Sequence, residues 1–241
     1  MGAGLVALAA PASIIPAVAA RIPETVYIPL PESAPGVVLP KAVELVKSAT
    51  EYDAVLIGPG LGQKAAEAFL AHFLDSPSLT RLVLDADALN ALAKVGGWWQ
   101  RLDCDAVLTP HPGEMARLAG LTTEEVQAKR IALAQEKAAE WGKTVVLKGA
   151  FTVVAAPDGR CRISPFANAA MASAGTGDVL AGAVAGLLGQ GLSLFDAASL
   201  GVYLHACAGE RAKAQIGEVG MLASDLLPLL PRAIQELKDA G

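Results

Sequence analysis

One pattern constrains the fold of this chain more than any other: a short apolar run, then glycine or polar residues, then residues at helical spacing. It occurs four times, and the strands that it predicts end at Ile57, Asp85, Thr109 and Lys148. Such runs predict buried strands that alternate with helices. That alternation is typical of an open, mostly parallel sheet with helices on both faces. The sequence therefore predicts the α/β class.

Further elements surround these four units. Two apolar segments, residues 151–156 and 161–164, flank the turn-forming pair Asp158-Gly159 and predict a hairpin. Residues 5–9 predict a buried strand, and residues 25–30 predict another. Helices are predicted for residues 11–20, 40–50, 65–74, 124–141 and 195–213, with a last helix that begins at an N-cap, Ser224.

Composition favours a single domain over residues 1–241. Hydrophobic residues make up 53% of the chain and charged residues 18%, which is enough apolar surface for a large core. The 19 basic and 24 acidic residues give a net charge of −5 without a basic block, which argues against binding to nucleic acid. The three cysteines are far apart, and no apolar window is long enough to span a membrane. We therefore expect a cytoplasmic protein that is not inserted in a membrane.

The segment 168–191 predicts an anion-binding site. Its G-T-G-D sequence at 175–178 follows small residues and precedes an uncharged run with helical spacing. Glycines let the backbone approach a phosphate, and the first turn of a helix has unpaired N–H groups and the positive end of the dipole. Asp178 lies at the mouth of this predicted site. A capped core helix, with Asp178 simply in its first turn, is the alternative interpretation.

Polar residues also follow the other predicted strands. They include Asp85 and Asp87, then His111 and Glu114, then Lys148. Because the carboxyl ends of parallel strands share one edge of a sheet, these residues are expected to converge there. Each alone could be a helix cap or a solvated side chain. The last histidine of the chain, His205, is instead predicted to pack within a helix and not to act as a ligand.

These motifs resemble those of the ADP/ATP-dependent NAD(P)H-hydrate dehydratases, which belong to the ribokinase-like superfamily. The matching segments occur in family order: G-P-G-L-G (58–62), D-A-D-A-L-N (85–90), L-T-P-H-P-G-E-M-A-R-L (108–118), K-G-A-F-T (148–152) and N-A-A-M-A-S-A-G-T-G-D-V-L-A-G (168–182). The resemblance covers essentially the whole chain. The H-P-G-E segment and the last motif are specific to the family, whereas G-T-G-D alone would fit any ribokinase-like kinase.

The resemblance implies an enzyme of metabolite repair. It would convert the S-epimer of hydrated NADH or NADPH back to the normal nucleotide, with ADP or ATP as co-substrate and Mg²⁺ as cofactor. The products from the co-substrate would be AMP or ADP and phosphate. The sequence has no dedicated carboxylate cage, so Mg²⁺ is expected to be held mainly by phosphate oxygens and water. A homo-oligomer and a functional link to an NAD(P)H-hydrate epimerase are expected as well.

The resemblance also assigns site residues. Asp178 would be the catalytic base and would contact the hydrated nicotinamide. The residues that would bind the hydrated nucleotide are Gly60, Gly62, His111, Pro112, Gly113, Glu114, Arg117 and Asp178. The residues that would bind ADP or ATP are Lys148, Gly149, Ala150, Phe151, Thr152, Asn168, Ala174, Gly175, Thr176 and Gly177.

The chain departs from the family pattern in two places. Family members usually carry a further strand and a glycine-rich segment before the point that corresponds to Met1, so the first strand of the family domain is expected to be missing here. In addition, N-A-A-M at 168–171 stands where many relatives have N-P-G-M, with Ala169 and Ala170 restricting the backbone.

Two other functions fit the same residues. A ribokinase-like kinase acting on a thiamine precursor would share Asp178 and the anion-binding loop, and it would release a stable phosphorylated product. A non-catalytic nucleotide-binding subunit would bind an adenine nucleotide without hydrate-dependent release of phosphate. The incomplete G-x-G-x-x-G fingerprint at 58–62 disfavours a Rossmann dehydrogenase.

Overall fold

A six-stranded sheet forms the centre of the protein. The computed structural model describes residues 1–39, 42, 51–74 and 81–239. The strands are, in chain order, β1 (Ala7–Pro11), β2 (Val26–Leu30), β3 (Glu32–Ala34), β4 (Val37–Val38), β5 (Val55–Ile57), β6 (Arg81–Leu84), β7 (Asp105–Leu108), β8 (Thr144–Leu147), β9 (Val153–Ala155) and β10 (Cys161–Ile163). The order across the central sheet is β10-β9-β8-β7-β6-β5. Strands β5 to β8 are parallel, and β9 and β10 form the predicted antiparallel hairpin.

Helices cover both faces of this sheet, as predicted. They are α1 (Ile15–Ala19), α2 (Gln63–Phe73), α3 (Asp87–Leu92), α4 (Trp98–Arg101), α5 (Pro112–Ala119), α6 (Thr123–Ala128), α7 (Arg130–Trp141), α8 (Thr176–Leu188), α9 (Leu194–Ile216), α10 (Ala223–Leu226) and α11 (Leu230–Asp239). Successive side chains of a strand point to opposite faces. Leu82 and Leu84 accordingly pack with helices α2 to α7, whereas Val83 packs with α8 and α9. Helices α10 and α11 pack against the far side of α9.

The parallel strands place the predicted site residues at one edge of the sheet. Strands β5 to β8 are neighbours in the order in which they occur along the chain. Their carboxyl ends therefore lie side by side, and the turn after each strand begins at the same edge. Asp85, Thr109 and Lys148 directly follow β6, β7 and β8, so this edge carries the polar residues of the motifs.

The long helix predicted for residues 124–141 is two helices. Helix α6 ends at Ala128 and α7 begins at Arg130, because Lys129 between them has a non-helical backbone. At this break the Arg130 guanidinium turns toward the sheet and donates to the carbonyl oxygens of Leu147 and Lys148, at 3.1 and 3.3 Å. The continuous amphipathic pattern of residues 124–141 therefore gave no sign that Arg130 bonds to the end of β8.

The prediction that Ser224 is the N-cap of the last helix is wrong. Ser224 is the second residue of the short helix α10, and the carboxylate of Asp225 accepts the backbone N–H of Leu222 at 2.8 Å. Pro228 has no N–H to donate to the carbonyl of Ser224, so α10 cannot continue through it. The longer last helix begins only at Leu230.

The first predicted strand exists, but it is not buried. Strand β1 begins at Ala7, and it pairs in parallel with β2 in a separate two-stranded sheet. Leu5 before it is 63% exposed, and Leu8 within it is 37% exposed. The burial expected from its apolar sequence is absent because β1 does not join the central sheet.

The helix predicted for residues 40–50 lies outside the described residues, apart from Ala42. In the described part of the chain, no helix is both long enough and apolar enough to cross a membrane.

Gly58 allows the turn after β5 to lie close to the end of the neighbouring strand, β6. Its φ is +131°, and a Cβ at this position would lie 1.8 Å from the carbonyl oxygen of Asp85. We expect Gly58→Ala to lower the free energy of unfolding by about 3 kcal/mol, from backbone strain and the forced separation of the two turns. Urea denaturation measures this loss.

Gly142 provides the matched control. It has a φ of +64°, and a Cβ there would meet no atom within 4 Å. Gly142→Ala therefore carries the backbone strain alone, about 1 kcal/mol. Equal losses for the two variants would show that close approach at Gly58 is unimportant.

Candidate functional site

Lys148 links three strand ends at the carboxyl edge of the sheet. Its Nζ lies 2.6 Å from Oδ1 of Asp85 and 3.8 Å from Oε2 of Glu114. Its backbone N–H donates to the carbonyl oxygen of Pro110 at 2.8 Å. Both carboxylates are buried, so a cation beside them is required to offset the loss of hydration.

Asp85 is a site residue that the family motifs did not assign. Its side chain is 1% exposed, and its second carboxylate oxygen, Oδ2, is buried without a hydrogen-bond partner. The next residue, Ala86, has a φ of +50°, which is rare for a residue with a Cβ, and strained backbone of this kind clusters at active sites. The D-A-D-A-L-N motif contains Asp85, but its burial and its pairing with Lys148 appear only in the folded structure.

His111 and Glu114 form a reciprocal cap at the start of α5. Nδ1 of His111 accepts the backbone N–H groups of Gly113, at 3.0 Å, and Glu114, at 3.4 Å, while the Glu114 carboxylate accepts the N–H of His111 at 2.8 Å. Pro112 occupies the first turn, where no N–H is needed. Burial raises the pKa of Glu114, and the positive charge of Lys148 opposes this increase. Burial, Lys148 and Arg117 lower the pKa of His111, which favours a neutral ring.

The glycine turn after β5 is tied to α3, and α3 is tied to α5. The N–H of Gly62 donates to the carboxylate of Asp87 at 2.8 Å. Nε of Arg117 donates to the side-chain oxygen of Asn90 at 2.8 Å. Gly60 is exposed in the same turn as Gly62. The residues expected to bind the hydrated nucleotide therefore lie on adjoining turns of one edge.

The first turn of α8 lies beneath the ammonium of Lys148. Gly175 precedes the helix with a φ of +85°, and Thr176 is its first residue. A Cβ on Gly177 would lie 3.2 Å from Nζ of Lys148. The absence of a side chain at Gly177 thus lets a cation approach the unpaired N–H groups of the helix start, and together they form a strongly anion-attracting position.

Asp178 lies in the same turn as this position. Partial loss of hydration raises the pKa of its carboxyl group, and the negative charges of Asp85 and Asp87 raise it further. Lys148 acts in the opposite direction. A raised pKa makes a carboxylate a better acceptor for a proton near neutral pH. The structure therefore places a carboxyl group of raised pKa beside an anion-attracting position.

The predicted nucleotide-binding residues after β8 form a constrained loop. Gly149 has a φ of +136°, and the guanidinium of Arg130 lies 3.1 Å from where its Cβ would be. The hydroxyl of Thr152 donates to the carbonyl oxygen of Gly149 at 2.9 Å. Phe151 has a φ of +54° and an exposed ring, and its N–H donates to Phe166 at 2.9 Å.

A groove of about 540 Å³ adjoins this loop, between the start of α7 and the β9–β10 hairpin. It includes Ala150 and Phe151 from the predicted nucleotide set, and its other lining residues come from α6, α7 and the hairpin: Gln127, Ala128, Lys129, Arg130, Ile131, Ala132, Val153 and Ile163. The groove is separate from the cluster around Lys148 and Asp178, whose residues do not line it.

The last predicted segment forms a 3₁₀ turn before α8. The turn spans Ala169–Ala172, and the side-chain oxygen of Asn168 caps it by accepting the N–H of Ala170 at 3.0 Å. The amide nitrogen of Asn168 is buried without a partner. Ala174 is exposed just before the helix. The N-A-A-M sequence therefore forms a regular turn.

Within the described ranges, no group of three or more histidine, cysteine, aspartate or glutamate side chains is arranged to hold a metal ion. The acids at the site are instead distributed around Lys148, and Asp85 and Glu114 lie within ion-pairing distance of its ammonium.

Comparison with known proteins gives a consistent result. A sequence model described as NAD(P)H-hydrate dehydratase matches residues 1–232. The chain is 44% identical over 239 residues to the bifunctional NAD(P)H-hydrate repair enzyme Nnr of Moorella thermoacetica, covering 99% of this chain and 45% of that protein. It is 41% identical over 198 residues to the ADP-dependent (S)-NAD(P)H-hydrate dehydratase of Neisseria meningitidis, covering 80% of this chain and 67% of that one. The chain thus spans about half the length of its bifunctional relatives.

Solved structures agree with the sequence comparison. The ADP/ATP-dependent NAD(P)H-hydrate dehydratase of Bacillus subtilis, co-crystallised with ATP and Mg²⁺, superposes with a TM-score of 0.79 and 32% identity, over 97% of this chain and 79% of that one. A hydroxyethylthiazole kinase from Pyrococcus horikoshii has a TM-score of 0.60 at 17% identity, which shows the shared ribokinase-like fold alone. By the match of its sequence and its fold, the chain belongs to the NAD(P)H-hydrate dehydratase family.

Proposed function

We propose that the protein dehydrates the S-epimer of hydrated NADH or NADPH, with ADP or ATP as co-substrate. The observation that carries this proposal is the position of Asp178 in the turn of α8 over which Lys148 lies. A proton acceptor and a phosphate-attracting site share one helical turn there. Relatives whose names contain this activity support it.

The division of the site into two halves is part of the proposal. The hydrated nicotinamide would lie against the turns after β5, β6 and β7, and the adenine nucleotide would lie against the turn after β8 and the start of α8. The first half is the set expected from the sequence: Gly60, Gly62, His111, Pro112, Gly113, Glu114, Arg117 and Asp178. The second half is Lys148, Gly149, Ala150, Phe151, Thr152, Asn168, Ala174, Gly175, Thr176 and Gly177.

The chemistry explains why a dehydratase would use a kinase fold. The hydrate carries a hydroxyl group at C6 of its reduced ring, and hydroxide is a poor leaving group. In the first step the hydroxyl oxygen attacks the terminal phosphorus of the nucleotide, its proton passes to Asp178, and the bond to the bridging oxygen breaks to release AMP or ADP. In the second step the lone pair of the ring nitrogen expels phosphate from C6. Loss of a proton from C5 then restores the ring double bond.

The residues of the site suit the first step. Its transition state is loose and depends on positioning and on neutralisation of charge more than on a strong base. The ammonium of Lys148, held near Gly177, would stabilise the charge on the transferred phosphoryl group. The raised pKa of Asp178 brings this carboxylate closer to the range in which it accepts a proton efficiently.

The carboxylate of Asp85 is a group that could hold Mg²⁺. Oδ2 of Asp85 is a buried carboxylate oxygen without a partner, and carboxylate oxygens are the ligands that Mg²⁺ prefers. Asp85 and Glu114 are the residues that would hold the ion beside the phosphate groups of the nucleotide. When bound, the ion would add positive charge against the phosphates.

A link to an epimerase for the other hydrate epimer is proposed from the bifunctional relatives.

The activity itself is tested with hydrated NADH, Mg²⁺ and either ADP or ATP. We expect recovery of the near-ultraviolet absorbance of NADH together with release of one phosphate for each NADH formed. Omission of the nucleotide is the control, and it should abolish the recovery. A stable phosphorylated hydrate without recovery of NADH would identify a kinase instead and would overturn the proposed reaction.

The role of Asp178 is tested by Asp178→Asn. Because the amide cannot accept the hydroxyl proton, we expect kcat to fall by about 10²- to 10⁴-fold. The affinity for ADP, measured by calorimetry, should not decrease, since the change removes a negative charge near the phosphates.

Asp103→Asn is the matched control, because Asp103 is exposed and precedes β7 at the opposite edge of the sheet. This variant should keep its full turnover. If Asp178→Asn also turned over at the normal rate, Asp178 would not be the base.

A further inference from the structure

His205 contacts the anion-binding turn from behind. It lies in the middle of α9, its residue surface is 9% exposed, and its Nε2 is 2.8 Å from the carbonyl oxygen of Thr176. A carbonyl oxygen can only accept, so Nε2 carries the proton in this contact. Burial lowers the pKa of His205 to about 4, and the charge of Lys148 lowers it as well. The ring therefore donates this hydrogen bond while it is neutral.

The carbonyl that His205 holds belongs to the peptide between Thr176 and Gly177. A trans peptide is planar, and its C=O and N–H groups point in opposite directions. The contact with His205 on one side of this peptide, together with the helical backbone of α8, therefore holds the direction of the Gly177 N–H on the other side. That N–H belongs to the first turn of α8, where helix N–H groups have no partner within the helix.

The side chain of Thr176 also holds this peptide in place. The hydroxyl of Thr176 lies 2.7 Å from the carbonyl oxygen of Met171 and 2.8 Å from that of Ser173. Met171 in turn packs against Gly209 of α9, where a Cβ would lie 2.3 Å from its sulfur. Helix α9 therefore supports the whole turn, and His205 is its polar contact with the peptide that faces Lys148.

We propose that His205 is a positioning residue for phosphoryl transfer: its hydrogen bond to Thr176 aims the Gly177 N–H at the terminal phosphate of the bound nucleotide. This inference rests on the proposed use of ADP or ATP, and it adds a residue that the sequence motifs do not contain. Hydrogen bonding at the carbonyl also polarises the peptide and strengthens its N–H as a donor.

The test compares the affinities for ADP and AMP in two variants. His205→Leu removes the donor, and His205→Gln keeps an N–H donor on a side chain of similar length. For His205→Leu we expect ADP to bind about tenfold more weakly, equivalent to 1.4 kcal/mol, while AMP, which lacks the terminal phosphate, binds as in the wild type. His205→Gln should restore most of the ADP affinity. A merely structural role would weaken both ligands together and would contradict the proposal.

A second measurement needs no variant. We expect the amide proton of Gly177 in the wild-type protein to shift downfield in the NMR spectrum on addition of ADP but not of AMP. A Gly177 amide that does not respond to ADP overturns the inference even if His205→Leu does not fold. Failure of the two claims can be told apart: a wild type that binds ADP without restoring NADH contradicts the proposed reaction alone, whereas equal ADP affinity in the wild type and His205→Leu contradicts the role of His205 alone.

Discussion

The ion pair between Lys148 and Asp85 is the interaction on which the candidate site depends. A carboxylate that is 1% exposed loses most of its hydration, and the ammonium of Lys148, 2.6 Å from its Oδ1, offsets that loss. Removal of one partner from a buried pair costs about 3–5 kcal/mol, since the other charge is left uncompensated. The pair also has a positional effect. It holds the ammonium at the sheet edge where Glu114 and the first turn of α8 lie.

Two glycines make this arrangement possible, each by the absence of a side chain. Gly58 lets the turn after β5 approach the carbonyl of Asp85, and Gly177 lets the ammonium of Lys148 approach the start of α8. A Cβ at either position would separate elements that must be in contact. The strain at Ala86 is a further sign that the strand end carrying Asp85 is held in place by its surroundings. The site is therefore a product of close packing at the sheet edge as well as of its charged groups.

The elements that the sequence predicted correctly are those whose signals are local. Each parallel strand is a short apolar run, and the β9–β10 hairpin has an Asp158-Gly159 turn, so periodicity and turn chemistry located them. The failures involve distant contacts. The break at Lys129 accompanies the bond from Arg130 to the carbonyls of a strand that follows later in the chain. The exposure of β1 depends on which sheet it joins, which its apolar residues do not specify.

The site shows the same division. The motifs predicted that Lys148, Glu114 and Asp178 would lie at one edge of the sheet, because the carboxyl ends of parallel strands share that edge. They did not identify His205, because a single histidine in an apolar helix is most often a packed residue and only the fold reveals its contact with Thr176. Nor did they assign a role to Asp85, whose importance follows from its burial and from its partner 63 residues away.

The central claim is that the ammonium of Lys148, held at the start of α8, attracts the phosphates of the bound nucleotide. The most direct measurement is the dissociation constant of ADP for Lys148→Met, which keeps the length of the side chain without its charge. Lys94→Met is the control, because Lys94 belongs to an exposed ion pair with Glu67. The account predicts that ADP binds at least about tenfold more weakly to the folded Lys148→Met protein and normally to Lys94→Met. Unchanged ADP affinity in a folded Lys148→Met protein would contradict it.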